Sequence, residues 1–123
     1  MTGSEVVAEA PDVSELLREG EALSRGRKYG EALDRFNRAI AMDPSNAFAY
    51  THLGLIAARE GHLSEAETLH RKALEIAPDA VAAQANLGVV LKDQGRMKDA
   101  RTAYSRAMEL DCLLYTSPSP RDV

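Results

Sequence analysis

The sequence predicts an all-α fold in which three helical hairpins stack into a solenoid. Small residues recur along the chain at a step of 34 positions: Gly20, Gly54 and Gly88, and then Ala32, Ala66 and Ala100. A period of this length, filled by two helical segments, is typical of repeat proteins. The composition also indicates helices. The chain has 20 alanines and 14 leucines but only two Phe, four Tyr and no Trp, and this balance favours helices over strands. Aligned on the step, the chain divides into units over residues 13–46, 47–80 and 81–111.

Each unit is predicted to contain two helices, which we call A and B, joined by a short turn. The apolar spacing places the A helices at 13–25, 47–60 and 81–94, and the B helices at 31–42, 64–76 and 98–110. Gly61 and Gly95 directly follow the second and third A helices, where a left-handed cap conformation favours glycine. Gly26 and Gly30 bracket the corresponding turn in the first unit.

The B helices carry their own start and stop signals. Ser64, with Glu67 three residues later, has the spacing of a capping box and predicts a helix that begins next to Ser64. Pro44 and Pro78 follow the first two B helices. Proline ends a helix because it cannot donate a backbone hydrogen bond and crowds the preceding turn.

Two glycines fall in the middle of predicted A helices, where each costs roughly 1 kcal/mol relative to alanine. These are Gly54 and Gly88, and we expect them, with Ala66 and Ala100 on the partner helices, to let A and B cross at close range. Ala73 then leaves room for the A helix of the next unit. No hairpin buries its apolar face alone, so the units must stack. The alternative is an irregular bundle in which the period is a coincidence.

The units resemble the tetratricopeptide repeat, whose pattern places Leu-Gly in the first helix, Ala and then an aromatic residue in the second, and Pro after it. The second unit matches at Leu53, Gly54, Ala66 and Pro78, with His70 in the place of the aromatic residue. The resemblance covers about four fifths of the chain and recurs three times. It implies a right-handed α–α superhelix whose A helices line a concave groove for partner peptides or helices.

We expect one face of each A helix to line this groove. The residues predicted from helical spacing are Leu17, Arg18, Glu21, Arg25, Phe48, Thr51, His52, Leu55, Arg59, Ala82, Ala85, Asn86, Val89, Lys92 and Asp93. Phe48 and Leu55 give the groove an apolar floor with polar groups around it. Such a surface suits a peptide contact of moderate affinity.

Two subtypes of the family can be compared at the groove. Tetratricopeptide co-chaperones grip a terminal carboxylate with Lys, Asn and Arg, and the matching positions here are Leu17, Glu21, His52, Ala82 and Asn86. Only Asn86 agrees, so this carboxylate clamp is not expected. The third unit also resembles the repeats of O-linked N-acetylglucosamine transferases, in which groove asparagines contact a peptide backbone. Arg18 and His52 occupy the equivalent positions of the other units, so an asparagine ladder is not expected either.

The sequence therefore predicts a non-catalytic scaffold that binds another protein, as a peptide or helix segment, in the groove. It contains no phosphate-binding, dinucleotide-binding or nucleophile-elbow motif, and its three histidines fall on different faces, so no cofactor or metal is expected. One alternative is the substrate-docking region of a truncated larger enzyme, such as an O-GlcNAc-transferase-like glycosyltransferase. Another is a structural assembly piece whose last helix lacks a cap, so that Ala103 and Ala107 face water. For it we expect either fraying of 98–110 or self-association through that face.

The charge distribution argues against nucleic-acid and membrane partners. The net charge is −4, and residues 1–12 carry three acidic and no basic residues. We predict that 1–12 is a disordered acidic tail and that the remaining body is almost neutral. The densest basic cluster, Arg25, Arg27 and Lys28, is interpreted as a solvated turn. No secretory signal is visible and no apolar run approaches the roughly 20 residues of a membrane span, so the expected location is cytoplasmic.

The end of the chain departs from the repeat. Residues 112–122 read CLLYTSPSPRD, have no helical period, and resemble a translated sequencing adapter. We predict that 112–123 is a non-native, disordered tail, and that the chain is a fragment of a longer protein. Cys112 is the single cysteine, so an internal disulfide and a multi-cysteine zinc site are excluded.

Overall fold

Six helices occupy most of the residues that the structure describes. The structure is a computed structural model that describes residues 11–115, with side chains for residues 11–112. Its helices are α1 (Val13–Arg25), α2 (Tyr29–Met42), α3 (Ala47–Arg59), α4 (Leu63–Ile76), α5 (Val81–Asp93) and α6 (Met97–Tyr115). No strand occurs among the described residues, so the predicted all-α class is confirmed. Two tails were predicted, at 1–12 and at 112–123. Residues 1–10 of the first and residues 116–123 of the second lie outside the described residues.

The helices form three hairpins that pack on one another in chain order. The pairs α1–α2, α3–α4 and α5–α6 pack along their lengths, and α2 packs on α3 as α4 packs on α5. The A helices α1, α3 and α5 also contact one another in sequence, whereas α2, α4 and α6 make no contact among themselves within the described range. Because the A helices are closer together than the B helices, the stack curves with the A helices on its inner side.

The core is shared between units. One cluster joins the first and second units through Ala32, Phe36, Ala49, Leu53 and Ile56. A second joins the second and third units through Ala57, Ala66 and Val90, and a third fills the last hairpin with Leu87, Leu91, Ala100 and Ala103. Each hairpin therefore buries its apolar face against a neighbour, as expected for a stacked repeat.

A ring of the B helix lies against the glycine in the middle of each A helix. The three pairs are Gly20 with Phe36, Gly54 with His70, and Gly88 with Tyr104. A Cβ atom at Gly54 would lie only 2.6 Å from Cε1 of His70, and one at Gly20 would lie 2.7 Å from Cζ of Phe36. The glycines therefore make room for a flat ring. The repeated small residues predicted the close approach of the A and B helices but not the ring that requires it.

The turns between A and B helices share one backbone geometry. Gly61 and Gly95 have positive φ values of 85° and 82°, which confirms the predicted left-handed caps. In the first unit Gly26 has an ordinary φ of −83°, and the left-handed residue is Arg27, at φ 64°. Arg27 precedes Gly61 by one repeat length, so arginine stands where the other units have glycine.

Two predictions about helix ends are wrong, the Ser64 cap of the second B helix and the end of the last helix. Helix α4 begins at Leu63 and its N-cap residue His62 makes no side-chain cap bond, so Ser64 is not the cap. Glu67 does not close a capping box but accepts hydrogen bonds from Arg71 and Arg96. Helix α6 continues to Tyr115, past the predicted end at residue 110 and into the segment expected to be disordered. The prolines that follow α2 and α4 have no counterpart here, so nothing in the sequence stops this helix before residue 115.

The expected exposure of the last helix is also wrong. Ala103 and Ala107 are only 3% and 6% exposed, and Ala103 packs in the core cluster of its own hairpin with Leu87 and Leu91. Two large apolar side chains of α6 are exposed, Met97 at 55% and Met108 at 68%. Leu74 and Ile40, one and two repeat lengths before Met108, pack against core clusters.

Candidate functional site

The inner surface holds a cavity of about 340 Å³ between the C-terminal halves of α1 and α3. It is lined by Glu21, Ser24, Arg25, Arg27, His52, Leu55 and Arg59. All of these except Ser24 and Arg27 belong to the set predicted for the groove. Ser24 was missed although it lies three residues after Glu21, on the same helix face. Arg27 was missed because it lies in the turn after α1. The repeat step offered a signal, since it aligns Arg27 with two turn glycines.

His52 lies at the centre of this surface. Its ring stacks on Phe36, with centroids 5.1 Å apart and planes 12° apart, and it meets the Phe48 ring edge-on at 4.3 Å. Its Nε2 is 3.5 Å from Oε2 of Glu21. Burial lowers the pKa of His52, the charge of Arg25 acts in the same direction, and Glu21 only partly opposes them. The imidazole is therefore neutral at neutral pH and extends the aromatic surface.

Apolar groups border the cavity. The Phe48 side chain is 44% exposed although it lies on a helix face beside His52. Leu55, one turn further along α3, is half-buried and lines the cavity itself. These side chains are held by helices, so they offer a preformed apolar surface for a ligand.

Three arginines line the open side of the cavity. Arg25, Arg27 and Arg59 are exposed, and within the described residues none of their guanidinium groups makes an ion pair or a hydrogen bond. Arg25 and Arg59 lie in the last turns of α1 and α3, where a positive charge interacts favourably with the helix dipole. Among the residues that line the cavity, Glu21 is the single acidic side chain.

Other predicted groove residues lie apart from the cavity. Thr51 is only 8% exposed and its hydroxyl donates to the Ala47 carbonyl at 3.0 Å, so the expectation that it faces the groove is wrong. Leu17 is half-buried and packs on the first core cluster, whereas Arg18 is exposed on α1. The remaining predicted residues lie on α5 and do not line the cavity: Ala82, Ala85, Asn86, Val89, Lys92 and Asp93. Of these, Val89 is an exposed apolar side chain, at 41%.

Neither a metal site nor a membrane span is found among the described residues. Within residues 11–112, no three His, Cys, Asp or Glu side chains are arranged to hold a metal ion. Over the same part of the chain, none of the helices combines the length and the apolar character that crossing a bilayer requires.

The sequence of the chain is similar to those of known repeat proteins. Two models of the family described as "Tetratricopeptide repeat" match the chain, one over residues 17–81 and the other over residues 57–111. The chain is 44% identical over 55 residues to the probable UDP-N-acetylglucosamine–peptide N-acetylglucosaminyltransferase SPINDLY of Hordeum vulgare. That match covers 45% of this chain and 6% of the barley protein, so the chain spans a small part of the length of this curated relative.

Solved structures with a similar fold include two repeat proteins. The crystal structure of MamA superposes with a TM-score of 0.77 at 25% identity, covering 86% of this chain and 62% of the MamA chain. The second TPR of Spaghetti (RPAP3), bound to the HSP90 peptide SRMEEVD, superposes with a TM-score of 0.76 at 20% identity. That match covers 86% of this chain and 98% of the other.

Proposed function

We propose, on the premise that the chain belongs to the tetratricopeptide repeat family, that it is a non-catalytic scaffold for another protein. The partner binds as an extended peptide or a helix on the inner, A-helix side of the stack. Its main contact is the cavity between α1 and α3.

The observation that carries this proposal is the exposed apolar surface beside a cavity on rigid helices. Phe48 is 44% exposed next to the neutral ring of His52, and Leu55 lines the adjoining space. A contiguous apolar patch with polar side chains around it marks an interaction surface, and here the rings of Phe48 and His52 touch while Leu55 follows one turn later. Because the groups sit on packed helices, binding costs little ordering of the scaffold.

The structural neighbours support the same interpretation. The Spaghetti domain, which this chain matches over nearly its full length, is bound to a peptide. A peptide in a groove of this kind contributes an anchor side chain to an apolar pocket and polar contacts along its length.

A second candidate function is the docking of a substrate within a larger glycosyltransferase. The match to the SPINDLY protein favours it, because the region similar to this chain is a small part of an enzyme. In that setting the groove holds a segment of the protein substrate, and the chemistry takes place elsewhere in the enzyme. Both functions use the same surface, and they differ in what the partner is.

Selection of peptides from a displayed random library on the immobilised chain tests the proposal. The affinity of the recovered peptides is then measured for wild type and for the double variant Phe48→Ala/Leu55→Ala. The control is Met42→Ala, which removes a 55% exposed apolar side chain from α2, outside the groove. We expect the groove variant to lose about tenfold or more in affinity, equivalent to about 1.4 kcal/mol, and Met42→Ala to bind like wild type. Equal affinities for wild type and groove variant, with both folded by circular dichroism, contradict the proposal.

A further inference from the structure

We infer that Arg25, Arg27 and Arg59 form a binding site for an acidic peptide segment at one end of the groove. The inference rests on the proposed function and specifies the chemistry of the partner. The three side chains line the cavity between α1 and α3, and Leu55 lies in the same wall, so the fitting ligand combines carboxylates with an apolar residue.

The backbone of Arg27 is the first argument. Its φ of 64° is left-handed, a conformation that L-residues with a side chain adopt at a cost and glycine adopts freely. The same turn recurs with the same hydrogen bond in all three units: Lys28 N to Leu23 O at 2.8 Å, His62 N to Ala57 O at 2.8 Å, and Arg96 N to Leu91 O at 2.9 Å. Two units carry Gly61 and Gly95 at this position, while the first keeps an arginine in a strained conformation. Strain of this kind concentrates at functional sites.

The charge of the site is the second argument. Arg35, Arg71 and Arg96, elsewhere on the stack, each pair with at least one carboxylate. The three cavity arginines have no such partner among the described residues, and a single glutamate, Glu21, lines the same space. His52 adds no charge, because burial keeps it neutral at neutral pH. The cavity thus holds an excess of two positive charges on a chain whose net charge is −4.

The position of the arginines is the third argument. Arg25 and Arg59 also stabilise the ends of their helices, but Arg27 lies beyond the end of α1 and has no comparable structural role. Guanidinium groups bind carboxylates through paired, charge-assisted hydrogen bonds. The site also differs from the carboxylate clamp considered above, since none of its arginines occupies a clamp position.

Fluorescence anisotropy with a synthetic probe tests the inference. The probe is a fluorescein-labelled peptide of glutamates around one central leucine, and its matched control has glutamine in place of every glutamate. We expect the wild-type chain to bind the glutamate probe about tenfold more tightly than the glutamine probe. Arg27→Gly reduces this preference by about twofold and the double variant Arg25→Gln/Arg59→Gln by about fivefold, so that together they account for the tenfold difference. Arg101→Gln, which removes an exposed arginine from α6, binds like wild type.

Stability separates a lost contact from a damaged fold. Arg27→Gly relieves the left-handed strain, so we expect it to bind the acidic probe more weakly while unfolding at a higher urea concentration. Loss of binding together with a lower urea midpoint overturns the inference. Equal binding of the two probes, an equal loss in Arg101→Gln, or equally tight binding of a sulfated oligosaccharide also overturns it. If the acidic probe fails while library peptides still depend on Phe48 and Leu55, this inference falls and the proposed function stands.

Discussion

Replacing His70 with phenylalanine should stabilise the fold and remove most of its sensitivity to acid. The His70 side chain is fully buried against Gly54, and neither Nδ1 nor Nε2 has a hydrogen-bond partner among the described residues. Phe36 occupies the equivalent place over Gly20, at nearly the same close distance and also fully buried. The repeat itself therefore shows that a phenyl ring fits this position.

The gain at neutral pH comes from the buried polar atoms. A buried donor or acceptor without a partner costs about 1–3 kcal/mol, and His70 has two such nitrogens. Phenylalanine removes both and keeps the ring. We therefore expect His70→Phe to raise the free energy of unfolding at pH 7.5 by about 1–3 kcal/mol.

The dependence on pH follows from the pKa of His70, which burial lowers from 6.5 to about 4. In the unfolded chain the imidazole takes up a proton near pH 6.5, whereas in the folded chain it stays neutral until about pH 4. Between these values the unfolded state binds more protons, so stability is complete above pH 6.5 and is lost as the pH falls. From pH 7.5 to pH 5 the expected loss is about 2 kcal/mol.

Urea unfolding followed by circular dichroism at pH 7.5 and pH 5 measures both effects. His70→Phe should keep only a small pH dependence, to which His52 contributes, since burial also lowers its pKa. Burial raises the pKa of Glu67, but hydrogen bonds from Arg71, Gln94 and Arg96 together outweigh it and lower this pKa from 4.5, so most of the stability that Glu67 contributes is lost only below pH 5. The control His62→Gln removes an exposed imidazole and should retain the full loss. If His70→Phe loses as much stability as wild type at pH 5, or is less stable at pH 7.5, the reasoning is refuted.

Three further substitutions test the packing and the turns through the urea midpoint. Arg27→Gly should stabilise the chain by about 1 kcal/mol, since glycine adopts the left-handed turn without strain; a destabilised variant means that the turn is not strained. Gly88→Leu should cost about 3 kcal/mol or more, because even a Cβ atom would lie 2.9 Å from the Tyr104 ring; retained stability means that the crossing is misplaced. Glu67→Gln should cost about 1 kcal/mol at low salt, because it weakens the 2.9 Å bond from Arg96 that ties α4 to the turn before α6; an unchanged midpoint shows that this bond contributes nothing.

The order of helices could be predicted from the sequence because small residues must recur wherever helices approach closely. Gly54 and Gly88 mark two of the A–B crossings, and Gly61 and Gly95 mark two of the turns. The left-handed backbone of Arg27 was not predicted because the residue is not glycine, and its one sequence signal is the repeat step that aligns it with Gly61 and Gly95. The exact helix ends depend on side-chain geometry and tertiary contacts, which the spacing of residues does not record.

Helical spacing predicted five of the residues that line the cavity. His52, Leu55 and Arg59 follow the spacing of one helix face, and the structure places them around one cavity with two residues of α1 that the same spacing predicts, Glu21 and Arg25. Thr51 was assigned to the same face, but α3 contacts helices on several sides and leaves only a narrow strip exposed. A helical pattern gives the direction of a side chain, whereas the width of the exposed strip depends on the neighbouring helices.

Backbone amide chemical shifts, recorded while a library-selected peptide is titrated into the chain, test most directly whether a ligand binds on the A-helix side. The account predicts shifts that concentrate on α1 and α3, with the largest changes around Arg25, His52 and Leu55, and little change on the outer faces of α2 and α4. Shifts centred on those outer faces, or on α6, would contradict it.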